Sequence, residues 1–574
     1  MQATRLTTFL QRLGRPGGAP AMLLWAALAG LLGALATIVF RDGLALMQRL
    51  LVGHSGSLVE MAAALPWPVR IVLPCAGGVV AGLFLVLAKR WADATPPDYM
   101  EAIASGNGQV PVPQTLLRSA SSLCTIASGG SIGREGSMVQ LAAMAASLIG
   151  RCARFDTARL RLLVACGAAA GITSAYNAPI ASAFFVTEIV LGTIAMDSLA
   201  PMMVASVMAN ITMRHMPNYK PTYEMPPFPD VTGGEVLLFA LLGILAGLTA
   251  PQFLRLLATA RRQFQKSALP LPARLGLGGL AVGIISVWLP QVWGNGYSVV
   301  NSLLHHPWAW EAVLAILVFK VLATLFTVGS GAVGGIFTPT LFVGATLGYL
   351  FGQGVHALLP ELTAAPSAYA IVGMAAFLTA ATGAPIMAIL MIFEMTLSYQ
   401  VMLPLMLACV IAWLPGRGTG LSMYEITLKR QQEYQARARL RGTLMQDLIR
   451  PAQTVVAQDA SLARMMDMFR AHPVKYLYVV DANGRYQGVV ALRDLAGAPE
   501  TTVAAEVLQR DQLPLITPEM ALDQASNQFH QHHGERLPVV ASLADPLLLG
   551  VVYKTALLDA YTRLSREEFP GLQS

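Results

Sequence analysis

Long apolar runs broken by glycine and proline dominate the first three quarters of the chain. A bilayer span needs about 20 apolar residues, and three runs reach or approach this length: Ala19–Phe40, Ile71–Ala88 and Val236–Pro251. Other runs are shorter and glycine-broken, a pattern typical of discontinuous helices that lie inside protein or line a pathway. The pattern therefore predicts an all-α polytopic membrane domain.

Composition and charge agree with a membrane protein. Hydrophobic residues make up 55% of the 574 residues and charged residues 12%, whereas soluble proteins have roughly 45–50% and about 25%. The net charge of +7 comes from basic clusters between apolar runs, so we expect a lipid bilayer rather than nucleic acid as the partner. Arginines at 5, 12 and 15 precede an apolar run too long for a cleavable signal peptide, which favours a cytoplasmic N terminus.

The membrane part contains an internal repeat. Three positions recur at one constant offset: Gly167 as Gly373, Pro179 as Pro385, and Glu188 as Glu394. Two glycine turns recur in the same order: Gly106–Gly108 as Gly294–Gly296, and Gly133–Ser137 as Gly335–Pro339. We interpret this order as duplication, with membrane halves at about 20–215 and 233–425.

One carboxylate, that of Glu135, stands in a glycine-rich turn at a predicted helix start. Such a start attracts anions because its first N–H groups lack intrahelical acceptors and carry the positive end of the helix dipole. If the halves are inverted, the paired turns meet near the bilayer midplane. The amides around Gly136 would then converge with those of Ile336 and Phe337, whose side chains would line a constriction. Partial charges of this kind let a conducted anion both enter and leave.

A third lobe of the site is predicted at Gly106, Asn107 and Gly108. Glycines on both sides of Asn107 supply a flexible backbone that could wrap an anion. A simple loop turn is the alternative interpretation of the same three residues.

These motifs resemble those of the CLC family of chloride channels and chloride/proton antiporters, in particular its bacterial ClcB-like branch. Gly133–Ser137 is similar to the family's GREG motif, Gly335–Pro339 to its GxFxP motif, and Leu421–Tyr424 to the segment with its pore tyrosine. The resemblance implies the CLC fold with two inverted repeats. It also implies a homodimer with one anion pathway per subunit, in a bacterial inner membrane with both termini cytoplasmic.

The same resemblance assigns roles to individual residues. Glu135 would be the gating glutamate, which competes with chloride for N–H donors until protonation frees the site. Central chloride would bind the amides of Ile336 and Phe337 and the hydroxyl of Tyr424. Gly106, Asn107, Gly108 and Gly136 complete the implied chloride site, with Asn107 where the family has a serine, although an extra residue before Pro111 shifts the register.

One departure from the antiporters bears on mechanism. Ile189 stands at their internal proton-relay position, and Glu188 stands one position before it. Isoleucine carries no proton, and the family's channels commonly have an apolar residue there. The sequence thus favours a passive, glutamate-gated chloride channel, with an electrical shunt under acid stress as its implied role. The alternatives are a chloride/proton antiporter, in which water or Glu188 serves as relay, and a secondary transporter of another anion.

The carboxylates of Glu188 and Glu394 have structural interpretations too. We expect Glu188 to be a helix-end carboxylate paired with a basic neighbour, and Glu394, its repeat partner, to be structural. The intramembrane region offers no nucleophile–base pair and no metal-ligand spacing, so we predict no enzyme, no metal site and no required cofactor besides transported chloride.

After Tyr424 the composition becomes that of a soluble α/β region. We predict a segment at 1–19, a membrane domain at 20–428, a linker at 429–444 and two α/β repeats at 445–497 and 503–562. The repeats resemble a pair of cytoplasmic CBS domains, which often bind adenine nucleotides through a hydroxyl and an acid after the third strand. Here Ala491 replaces the hydroxyl while Asp494 remains, so the sequence implies one weak nucleotide site or a purely structural module.

Overall fold

The chain consists of a helical unit, Met1–Leu428, and a second unit, Lys429–Ser574. The computed structural model describes residues 18–53, 56–91, 98–216, 221–229, 233–417, 421–424, 445–510, 512–531 and 535–560. The predicted N-terminal segment at 1–19 lies almost wholly outside these residues, and the predicted linker at 429–444 lies entirely outside them.

The first unit is a bundle of helices that falls into two halves. The first half contains α1 (Gly18–Val52), α2 (Leu58–Ala64), α3 (Trp67–Arg90), α4 (Tyr99–Ala104), α5 (Val112–Ala127), α6 (Glu135–Cys152), α7 (Thr157–Tyr176), α8 (Pro179–Phe185) and α9 (Met196–Arg214). The second half contains α10 (Glu235–Lys266), α11 (Leu271–Trp288), α12 (Tyr297–His305), α13 (Trp310–Gly329), α14 (Phe337–Leu358), α15 (Pro366–Thr382), α16 (Pro385–Thr396) and α17 (Met402–Arg417).

Long and short helices occur side by side in this unit. Among the described residues, eight helices are long and apolar enough to cross a membrane. Shorter apolar helices cover Pro179–Leu191, Pro366–Thr382 and Pro385–Thr396. The predicted membrane domain with discontinuous helices is therefore confirmed.

The same turn interrupts the helices in both halves. Asn177 ends α7 with φ of 58°, and Gly383 ends α15 with φ of 74°. Asparagine and glycine tolerate this left-handed conformation best, which stops a helix. A proline two positions later, Pro179 or Pro385, then starts the next helix, because its fixed φ suits the first helical turn.

Repeat-related glycines bring neighbouring helices into backbone contact. A Cβ on Gly373 would lie 2.4 Å from the carbonyl oxygen of Gly344, and a Cβ on Gly167 2.7 Å from that of Ala142. Small residues allow such approach in apolar surroundings. These contacts join α7 to α6 in the first half and α15 to α14 in the second. In each half, the helix that begins at a glycine turn is therefore packed in the same way.

The second unit contains two α/β repeats. The first has β1 (Val455–Ala457), α18 (Leu462–Ala471), β2 (Tyr476–Val480) and β3 (Tyr486–Ala491), and the second has α19 (Leu522–Gln531), β4 (Arg536–Val540) and β5 (Leu548–Tyr553). Strand β2 pairs parallel with β1 and antiparallel with β3, and β4 pairs antiparallel with β5. The predicted α/β class of this region is confirmed.

The two repeats exchange their leading segments. The N–H groups of Met445 and Arg450 donate to the carbonyl oxygens of Met520 (3.1 Å) and Val551 (2.9 Å), so 445–450 packs on the second repeat. In the other direction, the N–H of Ala504, at the start of the second repeat, donates to the carbonyl oxygen of Ala460 in the first at 3.0 Å. The two predicted repeats, 445–497 and 503–562, are therefore joined by backbone hydrogen bonds, and their boundaries stay predictions.

Candidate anion pathway

Two turns from opposite halves meet where α6 and α14 begin. The N–H of Gly133 donates to the carbonyl oxygen of Gly335 at 2.8 Å, and the N–H of Gly335 donates to that of Gly133 at 2.9 Å. A Cβ on Gly136 would lie 3.3 Å from the Gly335 nitrogen, so the two backbones are in contact. The convergence of helix starts expected from the repeat is therefore confirmed, and it joins the positive ends of two helix dipoles.

The carboxylate of Glu135 lies buried in this junction, with 4% of the residue exposed. Its Oε1 accepts hydrogen bonds from the hydroxyls of Tyr297 and, at 2.5 Å, of Thr338. We expected N–H groups as its partners, but the donors in the structure are side-chain hydroxyls. Tyr297 begins α12 and Thr338 lies in the first turn of α14, so three helix starts converge on one carboxylate.

The second carboxylate oxygen, Oε2, lies against glycine backbone. A Cβ on Gly133 would be 2.1 Å from Oε2, and a Cβ on Gly335 would be 3.0 Å from it. Within the described residues, Oε2 is buried and has no hydrogen-bond partner. A buried acceptor without a donor costs about 1–3 kcal/mol. Because movement of the side chain into water recovers this cost, the geometry suits a carboxylate that can leave its position.

Aromatic side chains and hydroxyls surround the carboxylate. The Arg134 guanidinium lies 5.3 Å from the ring centroid of Tyr297. The Tyr223 ring packs edge-on against the Tyr297 ring, with 4.9 Å between the two centroids. The hydroxyl of Thr338 lies 3.0 Å from those of both Tyr176 and Tyr297. Sequence reasoning did not identify the three residues whose hydroxyls are linked at the carboxylate, Tyr176, Tyr297 and Thr338. The repeat held a signal, since Tyr297 directly follows the Gly294–Gly296 turn.

Three of the residues predicted to bind chloride lie close to this junction. Ile336 caps α14, Phe337 is its first residue, and Gly136 follows Glu135 in α6. Tyr424 joins them through Phe185, whose ring centroid lies 6.2 Å from that of Phe337 and 5.6 Å from that of Tyr424. The structure thus places these residues around one region, and their contact with chloride stays a prediction.

The predicted third lobe at Gly106, Asn107 and Gly108 directly follows α4, and its contact with chloride stays a prediction. The N–H groups of Gly106 and Gly108 donate to carbonyl oxygens of α4 at 2.8 and 3.1 Å, and the exposed Asn107 accepts the N–H of Gln109. Ser147 donates to the carbonyl oxygen of Gly108 at 2.8 Å. This serine stands on α6 about 18 Å beyond Glu135, at 1.5 Å per residue. Two of the three backbone N–H groups of this segment, those of Gly106 and Gly108, already have acceptors within the protein, which favours the loop-turn interpretation.

The proton-relay position is apolar and buried, because Ile189 is 2% exposed. The neighbouring Glu188 lies in a single π-helical turn after α8 and accepts the N–H groups of Ile386 (3.3 Å) and Met387 (2.8 Å) at the start of α16. Its expected basic neighbour is therefore replaced by backbone N–H groups, which also attract a negative charge.

The repeat partner Glu394 makes the reciprocal contact. Its carboxylate accepts the N–H groups of Ile180 (2.9 Å) and Ala181 (2.7 Å) at the start of α8. Each half therefore contributes one glutamate that caps a short helix of the other half. This exchange agrees with the inverted repeat and with the structural interpretation of Glu394.

Replacing Glu188 by alanine should destabilise the membrane unit by about 2–3 kcal/mol, since hydrogen bonds to a charged group contribute about 1.5–3 kcal/mol. Glu394→Ala should have a similar effect, because its contacts are equivalent. Thermal unfolding of the detergent-solubilised protein measures both, with the exposed Glu361→Ala as the control. An unchanged melting temperature for Glu188→Ala, together with altered proton transport, would contradict the capping role.

The comparisons with known proteins agree with this architecture. The sequence profile described as voltage gated chloride channel matches residues 76–416. The chain belongs to the voltage-gated chloride channel (CLC) family. A ClcB-like chloride channel protein of Ralstonia nicotianae is 54% identical over 418 residues, which cover 72% of this chain and 97% of the relative.

Two further similar proteins carry different functional names. The voltage-gated ClC-type chloride channel ClcB of Escherichia coli is 40% identical over 398 residues, covering 68% of this chain and 94% of the relative. The crystal structure of a slow cyanobacterial Cl−/H+ antiporter aligns with a TM-score of 0.64 at 26% identity and covers 72% of this chain and 98% of its own. Proteins similar to this chain are thus described both as channels and as antiporters.

The C-terminal unit matches a second family. The profile of the CBS domain covers residues 445–500, which confirms the first of the two predicted repeats as a CBS domain. Asp494, the acid of the predicted nucleotide site, accepts a hydrogen bond from Gln509 at 2.6 Å, and its other oxygen lies 3.4 Å from the Arg493 guanidinium. The carboxylate therefore already has partners within the protein.

Proposed function

We propose that this CLC protein conducts chloride passively and that the carboxylate of Glu135 is its gate. The single observation that carries the proposal is the position of this buried carboxylate, between two facing helix starts and with one oxygen left without a donor. An ionised carboxylate at such a place excludes a second anion by repulsion. Protonation removes the charge, so acid should raise chloride conduction.

Passive conduction is favoured over antiport by the groups around the relay position. Ile189 is buried and cannot exchange a proton. Both oxygens of Glu188 accept N–H groups of α16, so a protonated Glu188 would lose part of its capping contacts. A chloride/proton antiporter remains the alternative, since a solved structure similar to this chain is described as a Cl−/H+ antiporter. A secondary transporter of another anion is the second alternative.

The reversal potential of the purified protein in a planar bilayer tests this proposal. With a fixed chloride gradient, we expect reversal at the chloride equilibrium potential whether or not a proton gradient is present, because no proton moves with the anion. The protein-free bilayer supplies the leak control. A reversal potential that shifts with the proton gradient would replace the channel by the antiporter.

The proposal includes the setting of the protein. We infer a homodimer with one pathway per subunit in a bacterial inner membrane, with both termini cytoplasmic. Support comes from the apolar helices, from the bacterial relatives and from the basic clusters between the helices. An electrical shunt during acid stress is the role that acid-activated conduction would serve.

We propose no cofactor for the pathway itself. For the CBS region we favour a structural or gate-coupling module over an adenine-nucleotide site. Support comes from Ala491, which lacks the expected hydroxyl, and from the hydrogen bond that already engages Asp494. A nucleotide would have to displace Gln509 from this carboxylate before binding there.

A further inference from the structure

A lysine is buried inside the membrane unit on α13. Lys320 is 1% exposed, and its Nζ donates to the carbonyl oxygens of Val292 (2.8 Å) and Gly294 (2.7 Å). Its Nζ also lies 5.6 Å from the ring centroid of Phe342. Intramembrane ionisable residues are costly, and they usually pair with carbonyl groups or acids at functional places. A residue of this kind needs an explanation beyond packing.

The loop that Lys320 holds leads directly to the gate. Gly294 and Gly296 have φ of 67° and 90° and form the turn that directly precedes Tyr297. The hydroxyl of Tyr297 in turn donates to the carboxylate of Glu135. Lys320 is therefore connected to the gating carboxylate through one short loop and one tyrosine.

The same face of α13 also holds the chain just before Glu135. Thr324 and Thr327 follow Lys320 at spacings of four and three residues, which places all three on one side of a helix. The hydroxyl of Thr324 lies 3.0 Å from that of Ser131, and the hydroxyl of Thr327 accepts the N–H of Ser131 at 3.1 Å. Ser131 stands four residues before Glu135, just ahead of the Gly133–Ser137 turn.

The two supported segments also touch each other. A Cβ on Gly129 would lie 2.4 Å from the Trp293 ring, and the N–H of Gly294 is 3.4 Å from the carbonyl oxygen of Gly129. The turn that carries Glu135 and the loop that carries its hydroxyl donor therefore form one layer on α13. Lys320 therefore contacts the layer in which the carboxylate of Glu135 and the hydroxyl of Tyr297 meet.

We propose that Lys320 is a positioning residue for the gate: it holds the Val292–Gly294 loop so that the hydroxyl of Tyr297 reaches the carboxylate of Glu135. The inference rests on the proposed gating function of Glu135. Among the described residues, the charged and titratable groups that face the carboxylate are Arg134 on its own turn and the tyrosines of the surrounding elements, Tyr176, Tyr223, Tyr297 and Tyr424. Of these groups, Tyr297 is the one that the loop held by Lys320 carries.

The test is a double-mutant cycle on the pH dependence of chloride efflux from liposomes that contain the full chain. Tyr297→Phe removes a donor to the ionised carboxylate, so half-maximal efflux should move to higher pH by about one pH unit. Lys320→Met should cause a similar shift, because the loop no longer presents the hydroxyl. The double variant should shift no further than either single variant, since both remove the same contact.

Matched variants separate positioning from general damage. Tyr349 is a buried tyrosine on α14 whose hydroxyl accepts the N–H of Trp308, so Tyr349→Phe should keep the pH profile of the unmodified protein. If Lys320→Met does not fold, Thr327→Val decides in its place, because it removes the acceptor for Ser131 with little change in volume. It too should move half-maximal efflux to higher pH.

The outcomes distinguish this inference from the proposed function. The positioning role would be overturned, and the gate left in place, by the following result. Lys320→Met and Thr327→Val keep the pH profile of the unmodified protein, while Glu135→Gln loses its pH dependence. Fully additive shifts of Lys320→Met and Tyr297→Phe would also overturn it. If chloride efflux through the Glu135→Gln variant still depends on pH, the assignment of Glu135 as the gate is refuted.

Discussion

Replacing Glu135 by glutamine should give chloride efflux that is faster at neutral pH and no longer depends on pH. Glutamine keeps the size of the side chain and can still accept the hydroxyls of Tyr297 and Thr338. It carries no charge, so it neither repels chloride nor responds to acid. We expect neutral-pH efflux to rise on the order of tenfold, the change that about 1.4 kcal/mol produces. Chloride efflux from liposomes over a series of pH values measures it.

A second buried glutamate supplies the matched control. Glu235 is 3% exposed and accepts the Tyr369 hydroxyl at 2.7 Å and the N–H of Ala364 at 2.6 Å, which resembles the setting of Glu135. It starts α10, away from the paired glycine turns, so Glu235→Gln should keep the pH dependence. The gate assignment fails if the Glu135→Gln protein responds to acid as the unmodified protein does.

A single methyl group at Gly133 should open the same gate from the backbone side. Its carbon would lie 2.1 Å from Oε2 of Glu135 and 2.8 Å from the carbonyl oxygen of Gly335, closer than Cβ atoms approach other atoms. Either the carboxylate leaves or the paired hydrogen bonds between the turns break. We therefore expect Gly133→Ala to lose most of its pH dependence and to be less stable by about 1–3 kcal/mol from overpacking.

The control for this substitution is Gly354→Ala. Gly354 lies on α14, and its Cβ would meet no atom within 4 Å, so its transport and stability should match the unmodified protein. Efflux and thermal unfolding are measured on the same preparations. The prediction is contradicted if Gly133→Ala folds and keeps the pH profile of the unmodified protein. Oε2 of Glu135 would then not need the space beside Gly133 to close the pathway.

Much of the membrane architecture was predictable because it depends on local spacing. Pro179 and Pro385 start short helices in both halves, and their shared offset with Glu188 and Glu394 was visible in the sequence. Helix breakers act on neighbouring residues, so their effect can be derived without knowing the fold. The convergence of the Gly133 turn with its repeat partner followed from the same repeat.

At the predicted third lobe, the sequence left the hydrogen bonding of the backbone open. Glycines at 106 and 108 looked like a site because flexible amides can turn towards an anion. In the structure these amides donate to the last carbonyl groups of α4, which need donors at a helix end. Sequence spacing shows that an amide is available in principle, but its actual acceptor depends on where the preceding helix ends.

The sequence by itself determined the membrane class, the duplicated halves, the family and the turn with Glu135, because apolar periodicity and motif spacing are properties of neighbouring residues. Only the tertiary structure decided what the carboxylate contacts. Tyr297 and Thr338 stand 162 and 203 residues from Glu135 along the chain. Contacts over such separations depend on how helices of the two halves cross, and no local pattern specifies that crossing. The same holds for Lys320, whose carbonyl partners belong to a loop that α13 reaches only in the folded chain.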